Sequence, residues 1–356
     1  MRDIDFLLLR SPTFGYIRLP MNWEKLDWPY LQRLRALYLK ADPSKGNYFK
    51  NSNEIASYDL TFAQRISWKW QSVMDELKLR AINFPLKSIW DWGCGSGIAS
   101  RVFLQSATQV EQVYLWDQSS VAREFARKKI CEQNPNLKVS TEEPVQSLAE
   151  GILISHVLNE LNASQLQGLK KNLQKLDFVL WVENGTLLTS QALGKLRNEF
   201  LSSQKWRILG PCTHQQICPL GTEVSTQDWC HSFAKVPSQV HQNADWRKFS
   251  TTMSIDLRSV PYSYLCMVKR DSHLEEKMLS DSRSLEQDLH RKIGSPRHYK
   301  GYSKILDCHG QLGVREINVS HRNSPDFVKL LKKEKNRSPF FRAELKGGEL
   351  TTGDWL

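Results

Sequence analysis

The apolar positions along the chain change rhythm twice. Between residues 20 and 80, WEKLDWPYLQRLRALYLK and YDLTFAQRISWKWQSVMDELKLRAI carry apolar residues three and four apart, the period that lines one helix face. The polar stretch ADPSKGNYFKNSNE between them is rich in turn formers and reads as a loop. From residue 87 the texture becomes short apolar runs alternating with helical patterns. KSIWDWG, VYLWDQ, GILISHVLNEL, FVLWVEN and WRILGP read as strands, and GIASRVFLQSA, SSVAREFARKKICEQ, NASQLQGLKKNLQKL and SQALGKLRNEFLSSQ as helices between them. That alternation predicts a parallel sheet with right-handed crossovers, an open doubly wound α/β domain.

The second change comes at residue 211. Residues 211–250 hold three Cys and three His with little periodicity, and a strand returns at VPYSYLCMVKR. The segment reads as an insertion before the last strand of the sheet. Residues 271–292 read as a charged helix, and YSKILDC and VREINVSHR then predict a β-hairpin across HGQLG. The expected division is an N-terminal helical region over 1–80, an α/β domain over 81–270 with its cysteine-rich insertion at 211–250, and an extension over 271–356.

Charge gives the extension a character of its own. The chain carries a net +11, and between Lys269 and Lys346 there are 18 Lys and Arg against 11 Asp and Glu. A surplus of this kind suits a phosphate-rich partner and says nothing about fold. Tyr299, Tyr302, Phe340 and Phe341 interleave with the cations, which pairs phosphate contacts with base stacking. No apolar run reaches the ~18 residues that span a bilayer. The opening MRDIDFLLLRSPTF is too short for a secretory core and too acidic for a transit peptide. A soluble intracellular protein is expected, cytoplasmic or, in a eukaryote, in the mitochondrial matrix. The 7 cysteines are an odd number in a chain too large to need disulfide staples.

The strongest local signal is IWDWGCGSG. Asp91 ends an apolar strand, and Gly93, Gly95 and Gly97 follow at alternate positions around Cys94. Glycines there let the backbone turn sharply and approach a nucleotide-like ligand closely. Asp117, at the end of VYLWD, is placed to accept hydrogen bonds from ribose hydroxyls. A dinucleotide site prefers G-x-G-x-x-G aimed at a pyrophosphate. A carboxylate beside G-x-G-x-G better suits the amino group and sulfonium of S-adenosylmethionine. The stretch resembles motif I of the class I S-adenosylmethionine-dependent methyltransferases, which implies a Rossmann-like sheet and a cofactor site of Asp91, Gly93, Cys94, Gly95, Gly97, Asp117 and His156. Amino-methylating enzymes of that fold carry Asn/Asp-Pro-Pro-aromatic after the fourth strand, where this chain has SHVLNEL. Neither Cys94 nor Cys131 is placed as a nucleophile. His156 and Glu160 are the candidate bases, and no catalytic residue is assigned. Glu183 and Asn184 in WVENG end the fifth strand, either shaping the site or capping the next turn.

The second signal is PCTHQQICPL followed by DWCHSF. Cys212, Cys218 and Cys230 fall within 19 residues, with Cys308 far downstream in ILDCHGQ. Four thiolates suit tetrahedral zinc or an iron–sulfur cluster. Zinc sites usually pair cysteines two to four residues apart, and this irregular spacing fits a cluster better. His214, His231 and His309 stand beside the candidates and keep a mixed Cys/His site open; Cys266 reads as a core residue.

Taken together, DWGCGSG, WVENGT, the cysteine run, PYSYLCMVKR, ILDCHGQLG and the closing GDWL resemble one family. These are the methyltransferase-like small-ribosomal-subunit assembly factors of bacteria and mitochondria, and the likeness runs from about residue 55 to the end. The resemblance implies a 4Fe-4S cluster on Cys212, Cys218, Cys230 and Cys308, and docking on small-subunit RNA and proteins in ribosome assembly or translation. Two departures stand out: Thr213 where the family often has proline, and Glu183-Asn184-Gly185 in place of Glu-Pro-Gly. An active rRNA methyltransferase and an iron or redox sensor are the competing readings.

Overall fold

The computed structural model of the chain describes residues 23–40, 48–144, 149–222, 228–280, 288–333 and 339–356. The expectations for residues 1–22, for the loop at 41–47 and for a helix across 281–287 lie outside these residues. Three helices come first: α1 (Trp28–Lys40), α2 (Ser52–Leu60) and α3 (Phe62–Leu79). Asn51 starts α2 by accepting the N–H groups of Asn53 and Glu54, both at 3.0 Å, which satisfies two of the orphan donors every helix start leaves. Along α3, Trp70, Val73, Met74 and Leu77 recur at helical spacing and are all buried.

The α/β region then follows the expected alternation. Its elements are β1 (Ser88–Trp92), α4 (Ile98–Phe103), β2 (Gln112–Trp116), α5 (Ser120–Gln133), β3 (Lys138–Ser140), β4 (Gly151–Ser155), α6 (Ala163–Leu173), β5 (Phe178–Asn184), α7 (Leu187–Ser202) and β6 (Trp206–Gly210). After β6 come β7 (Ser232–Phe233), α8 (Ser238–Gln242), α9 (Ala244–Met253), β8 (Pro261–Lys269) and α10 (His273–Leu279). The sheet runs β3-β2-β1-β4-β5-β8-β6, with β7 also on β8, eight strands in all.

The expectation of a parallel sheet holds from β3 to β5 and fails at the other edge. There β8 lies antiparallel to both β5 and β6. Every residue of β8 but the two at its ends is buried, as in a strand covered on both faces, and such a run carries no signal of direction. The last strand therefore inserts between β5 and β6 rather than extending the edge. This remains the Rossmann-like α/β arrangement expected from the glycine-rich turn.

The core lies on both faces of this sheet. On one side Trp70, Val73 and Leu77 of α3 pack with Ile89, Leu180 and Tyr264; on the other, Leu169, Leu173, Leu193 and Leu196 pack with Ile152, Val179 and Trp181. Residues 211–250, expected to be irregular, contain α8 and most of α9. Trp246 of α9 sits edge-on to Trp23 at 5.2 Å and tilts against Trp68 at the same distance, so this segment closes over the N-terminal helices.

The C-terminal strands form a closed barrel rather than a lone hairpin. They are β9 (His290–His298), β10 (Tyr302–His309), β11 (Gly313–Ser320), β12 (Phe340–Lys346) and β13 (Glu349–Trp355), with α11 (Pro325–Lys333) between β11 and β12. The order around the barrel is β10-β11-β13-β12-β9, and β11 runs parallel to β13 while the other pairs are antiparallel. The expected hairpin is β10–β11, paired from Tyr302 with Ser320 to His309 with Gly313. Phe341, Ile305, Ile317, Val319 and Leu350 fill one buried cluster with Phe327 and Leu331 of α11. Phe340 and Phe341 are 1% and 0% exposed, so the expectation that they stack on bases is wrong: they are core.

Candidate functional site

The chain turns at the end of β1 through Gly93, Gly95 and Gly97, with φ of +73°, +51° and +74°. Glycine adopts such values without steric cost. At Gly93 a side chain would also run into Val157, 2.7 Å from an added Cβ, and at Gly97 into Ala126 at 2.9 Å. The neighbouring strand holds the turn in place. Trp116 O accepts the N–H groups of Gly93 at 2.8 Å and Cys94 at 2.9 Å. The two carboxylates divide the remaining work. Asp117 Oδ2 accepts the Gly95 N–H at 2.9 Å. Asp91 Oδ2 accepts Ser100 Oγ–H at 2.6 Å and Ser100 N–H at 3.3 Å, pinning the first turn of α4 from below. Burial lifts Asp91 to about 6 and also raises Asp117.

Above this turn opens a cavity of about 490 Å³ at the C-terminal ends of β1, β2, β4 and β5, where open α/β sheets bind ligands. Of the expected cofactor residues, Gly93, Gly95, Asp117 and His156 line it; Asp91, Cys94 and Gly97 stand behind the wall and shape it. Trp92 and Trp116, from neighbouring strands, stack at 4.8 Å with planes 14° apart on its floor. Tyr38, Tyr58 and Phe62 of the N-terminal helices close it, with Tyr48 and Phe49 from the segment before α2. Those rings, with Arg65 and Lys69, carry no local motif, and only the fold brings them to the site.

The far side of the cavity is where chemistry concentrates. His156 sits at φ +59°, a conformation a side-chain-bearing residue rarely takes, while its N–H donates to Val182 O at 2.9 Å. Its Nε2 is buried without a hydrogen-bond partner among the described residues. Burial, with Lys69 and Arg65 nearby, pushes its pKa well down, so the ring is neutral. Lys69 Nζ donates to Asn184 Oδ1 at 2.5 Å, and burial lowers its pKa strongly as well. Glu183 does not line the cavity. Its Oε1 accepts Val157 N–H at 3.0 Å, Leu158 N–H at 2.9 Å and Trp181 Nε1–H at 2.7 Å, which fixes the turn after β4.

Glu160, on the cavity wall, is raised from 4.5 to about 8, first by burial and then by the carboxylates of Glu183 and Asp117. Between these values the folded chain holds a proton that the unfolded chain releases, so stability falls as pH rises through this window. Glu160→Gln should flatten that fall. Urea midpoints measured near pH 5 and pH 8.5 should show the variant gaining on the native protein at the higher value; an equal difference at both would refute the assignment.

The four expected metal ligands come together on the opposite face of the sheet. Cys212 and Cys218 follow β6, Cys230 precedes β7, and these three line a small cavity under α7, beside Ser263, Leu265 and Arg197. Cys308, near the end of β10, faces Cys212, and its Sγ lies 3.5 Å from Thr213 Oγ1. Thr213 also donates to Cys308 O at 2.9 Å, which gives this departure from the family pattern a bridging role. The Arg291 guanidinium reaches Cys230 Sγ at 3.8 Å. The Cys308 thiol, donating toward Cys212, holds Cys212 well below the ordinary thiol range, whereas burial lifts Cys218 to about 12 and Cys230 to about 11.

Two of the three neighbouring histidines are committed elsewhere. Nδ1 of His214 accepts Gln216 N–H at 3.1 Å, and Nδ1 of His309 accepts the N–H groups of Gln311 and Leu312. A neutral imidazole accepting at Nδ1 carries its proton on Nε2 and has no lone pair left for a metal. Nδ1 of His231 faces Trp229 O at 3.0 Å, and the ring stacks on Trp229. Among the described residues no three His, Cys, Asp or Glu side chains are drawn tightly enough together to grip a metal ion as they stand. In donor type the four thiols fit a thiolate-held group, with Arg197 and Arg291 as counter-charges.

The model of the family described as mitochondrial small ribosomal subunit Rsm22 matches residues 55–326. The chain belongs to that family. No curated protein matches it. Among solved structures it is similar to the plantazolicin methyltransferase BpumL bound to SAH, at 15% identity over 68% of this chain and 98% of that one, with a TM-score of 0.37. It is also similar to magnesium protoporphyrin IX methyltransferase of Synechocystis PCC 6803, at 11% over 67% and 99%, TM-score 0.34. A third is M. capricolum TrmK with S-adenosyl-homocysteine, at 14% over 57% and 71%, TM-score 0.31. Scores of this size add nothing to what the strand order already shows. The Rsm22 match starts inside α2 and ends within α11, so it takes in the glycine turn and all four cysteines. No helix among the described residues is long and apolar enough to cross a membrane.

Proposed function

We propose that the chain is an S-adenosylmethionine-binding, 4Fe-4S cluster-containing factor that binds small-subunit ribosomal RNA during ribosome assembly or translation, in the mitochondrial matrix of a eukaryotic source. The observation that carries the cofactor half is the contact of Asp117 with Gly95 at the mouth of an aromatic-walled cavity. The free lone pairs of Asp117 would take the ribose hydroxyls, the Trp92–Trp116 stack would floor the pocket under the base, and Arg65 and Lys69 would meet the methionine carboxylate. Support for the cluster is the convergence of four thiols, two guanidinium groups and apolar walls; Cys212, Cys218, Cys230 and Cys308 would hold it, and it would tie β10 to the α/β sheet. Family membership and the surplus of cations after Lys269 support the RNA partner.

An active rRNA methyltransferase is the second reading, favoured by the neutral His156 on the cavity wall, with its Nε2 buried and unpartnered among the described residues. Calorimetric titration with S-adenosylhomocysteine tests the cofactor site. Asp117→Ala should weaken binding at least ~10-fold, as loss of a hydrogen-bonded charge does; native affinity in that variant would refute the assignment. Methyl transfer to small-subunit RNA that depends on His156 would move the balance to the second reading.

A further inference from the structure

The barrel presents a second surface. Five strands in the order β9-β10-β11-β13-β12, closed back on β9, with a helix between the third and fourth, make a barrel of the oligonucleotide/oligosaccharide-binding type. Such barrels receive their ligands on the outer face of the second and third strands, between the loops that join strands one to two and four to five. In this chain those parts are β10, β11, the turn 299–301 and the turn at Gly347 and Gly348. Topology alone assigns no function, so the side chains must decide.

One half of that face is already covered. Ile293, Leu306, Cys308 and Val314 pack into the apolar cluster shared with β6 and α7. The other half is open. Strand register sets Arg297 beside Lys304, Lys304 beside Asn318, and Asn318 beside Glu349, a polar row across four strands. The Asn318 N–H donates to Gly348 O at 3.1 Å, so the row ends against the second turn. At the other end Tyr299 and Tyr302 stack on each other, centroids 4.9 Å apart and planes 12° apart, while remaining 45% and 37% exposed. Their turn is fixed by Tyr299 N–H to Tyr302 O and His321 N–H to Gly301 O, both 2.9 Å, with Gly301 at φ +88°.

The charge on this face is moderate. Glu316 pairs with Arg297 at 2.6 Å and Lys304 at 2.5 Å, and Asp228 reaches Arg297 at 3.7 Å. Cations held at fixed positions, partly neutralised, beside a rigid aromatic platform favour stacking over bulk electrostatics. We propose that this face binds single-stranded RNA, with the Tyr299–Tyr302 stack taking an unpaired base and Arg297, Lys300 and Lys304 reaching its phosphates. This rests on the RNA-binding reading above and narrows it: a duplex hides the faces of its bases, and a stacking platform recognises only splayed ones.

The test is fluorescence anisotropy with the anaerobically purified full chain and a labelled RNA of about 12 nucleotides, within the length one such barrel covers. Tyr299→Ala with Tyr302→Ala should weaken binding ~10-fold or more, since stacking on each ring contributes that much. Tyr302→Trp should keep native affinity, and the salt dependence should be unchanged because the phosphate contacts remain. Thermal melts of both variants should match the native chain, as both rings are surface. A hairpin duplex should bind more weakly and be indifferent to the tyrosines. Native single-strand affinity in the double alanine variant would overturn the platform and leave RNA binding standing. Equal losses on duplex and single strand would also overturn it. No binding of either RNA by the native chain would take down both readings.

Discussion

Glu76→Ala is expected to destabilise the protein by ~3–5 kcal/mol, the cost of leaving a buried charge without its partner. Glu76 lies on α3 and Arg291 on β9, with side chains only 3% and 2% exposed and an ion pair at 3.3 Å. The same carboxylate accepts the hydroxyls of Tyr262 and Tyr264 from β8, and Arg291 donates to Ser232 Oγ at 2.7 Å. One carboxylate thus joins the N-terminal helices, the sheet and the barrel. Burial lowers the Arg291 pKa, but Glu76, Cys230 and the two tyrosines together push it up. Removing Glu76 strands the guanidinium beside Cys230 and leaves two buried phenols short of an acceptor. Denaturant unfolding should show the loss, and Glu76→Ala combined with Arg291→Met should cost less than the two changes summed. Additive losses would mean that the two residues do not act as a pair.

How much of this was legible in the sequence differs by element. The alternation from KSIWDWG to WRILGP identified five of the strands and the helices between them, because each buried strand is a short apolar run bounded by turn residues. The glycine spacing located the turn under the cavity for the same local reason: φ values between +51° and +74° leave few other residues possible. What failed is what depends on long-range pairing. The direction of β8 is set by its neighbours, and β3, with 3 residues, is too short to announce itself. The barrel closes through pairs such as Phe341 with His290, just over fifty positions apart, so β12 and β13 read only as a basic tail. The charged surroundings of Phe340 and Phe341 suggest base stacking, although alternation within FFRAELK points only part of that strand outward. At the cavity, Asp117 followed from its place after a strand. Lys69 and Arg65 did not, since their helix reads as an ordinary amphipathic one until α3 is laid across the ends of β4 and β5.

Cys308→Ser bears on the same junction from the other side. If four thiolates hold a cluster, metal-binding energy is folding energy, and losing one ligand should bleach the visible absorption, lower the iron and sulfide content and loosen the barrel from the sheet. The barrel should then be cut more readily by protease in the variant than in the native chain, with α3 to β8 still resistant. Serine is nearly isosteric with cysteine, and its hydroxyl retains a partner in Thr213, so packing alone predicts a small effect. A change of this kind in a core without metal should stay below ~2 kcal/mol. Cys266→Ser, at a thiol equally buried in β8 and outside the cluster, supplies the comparison. Its loss of stability should come without loss of iron. A native protein that is colourless and holds zinc would remove the cluster while keeping the ligand set. Native iron content in Cys308→Ser would remove Cys308 from that set and leave the contact between β10 and the loop after β6 a matter of packing.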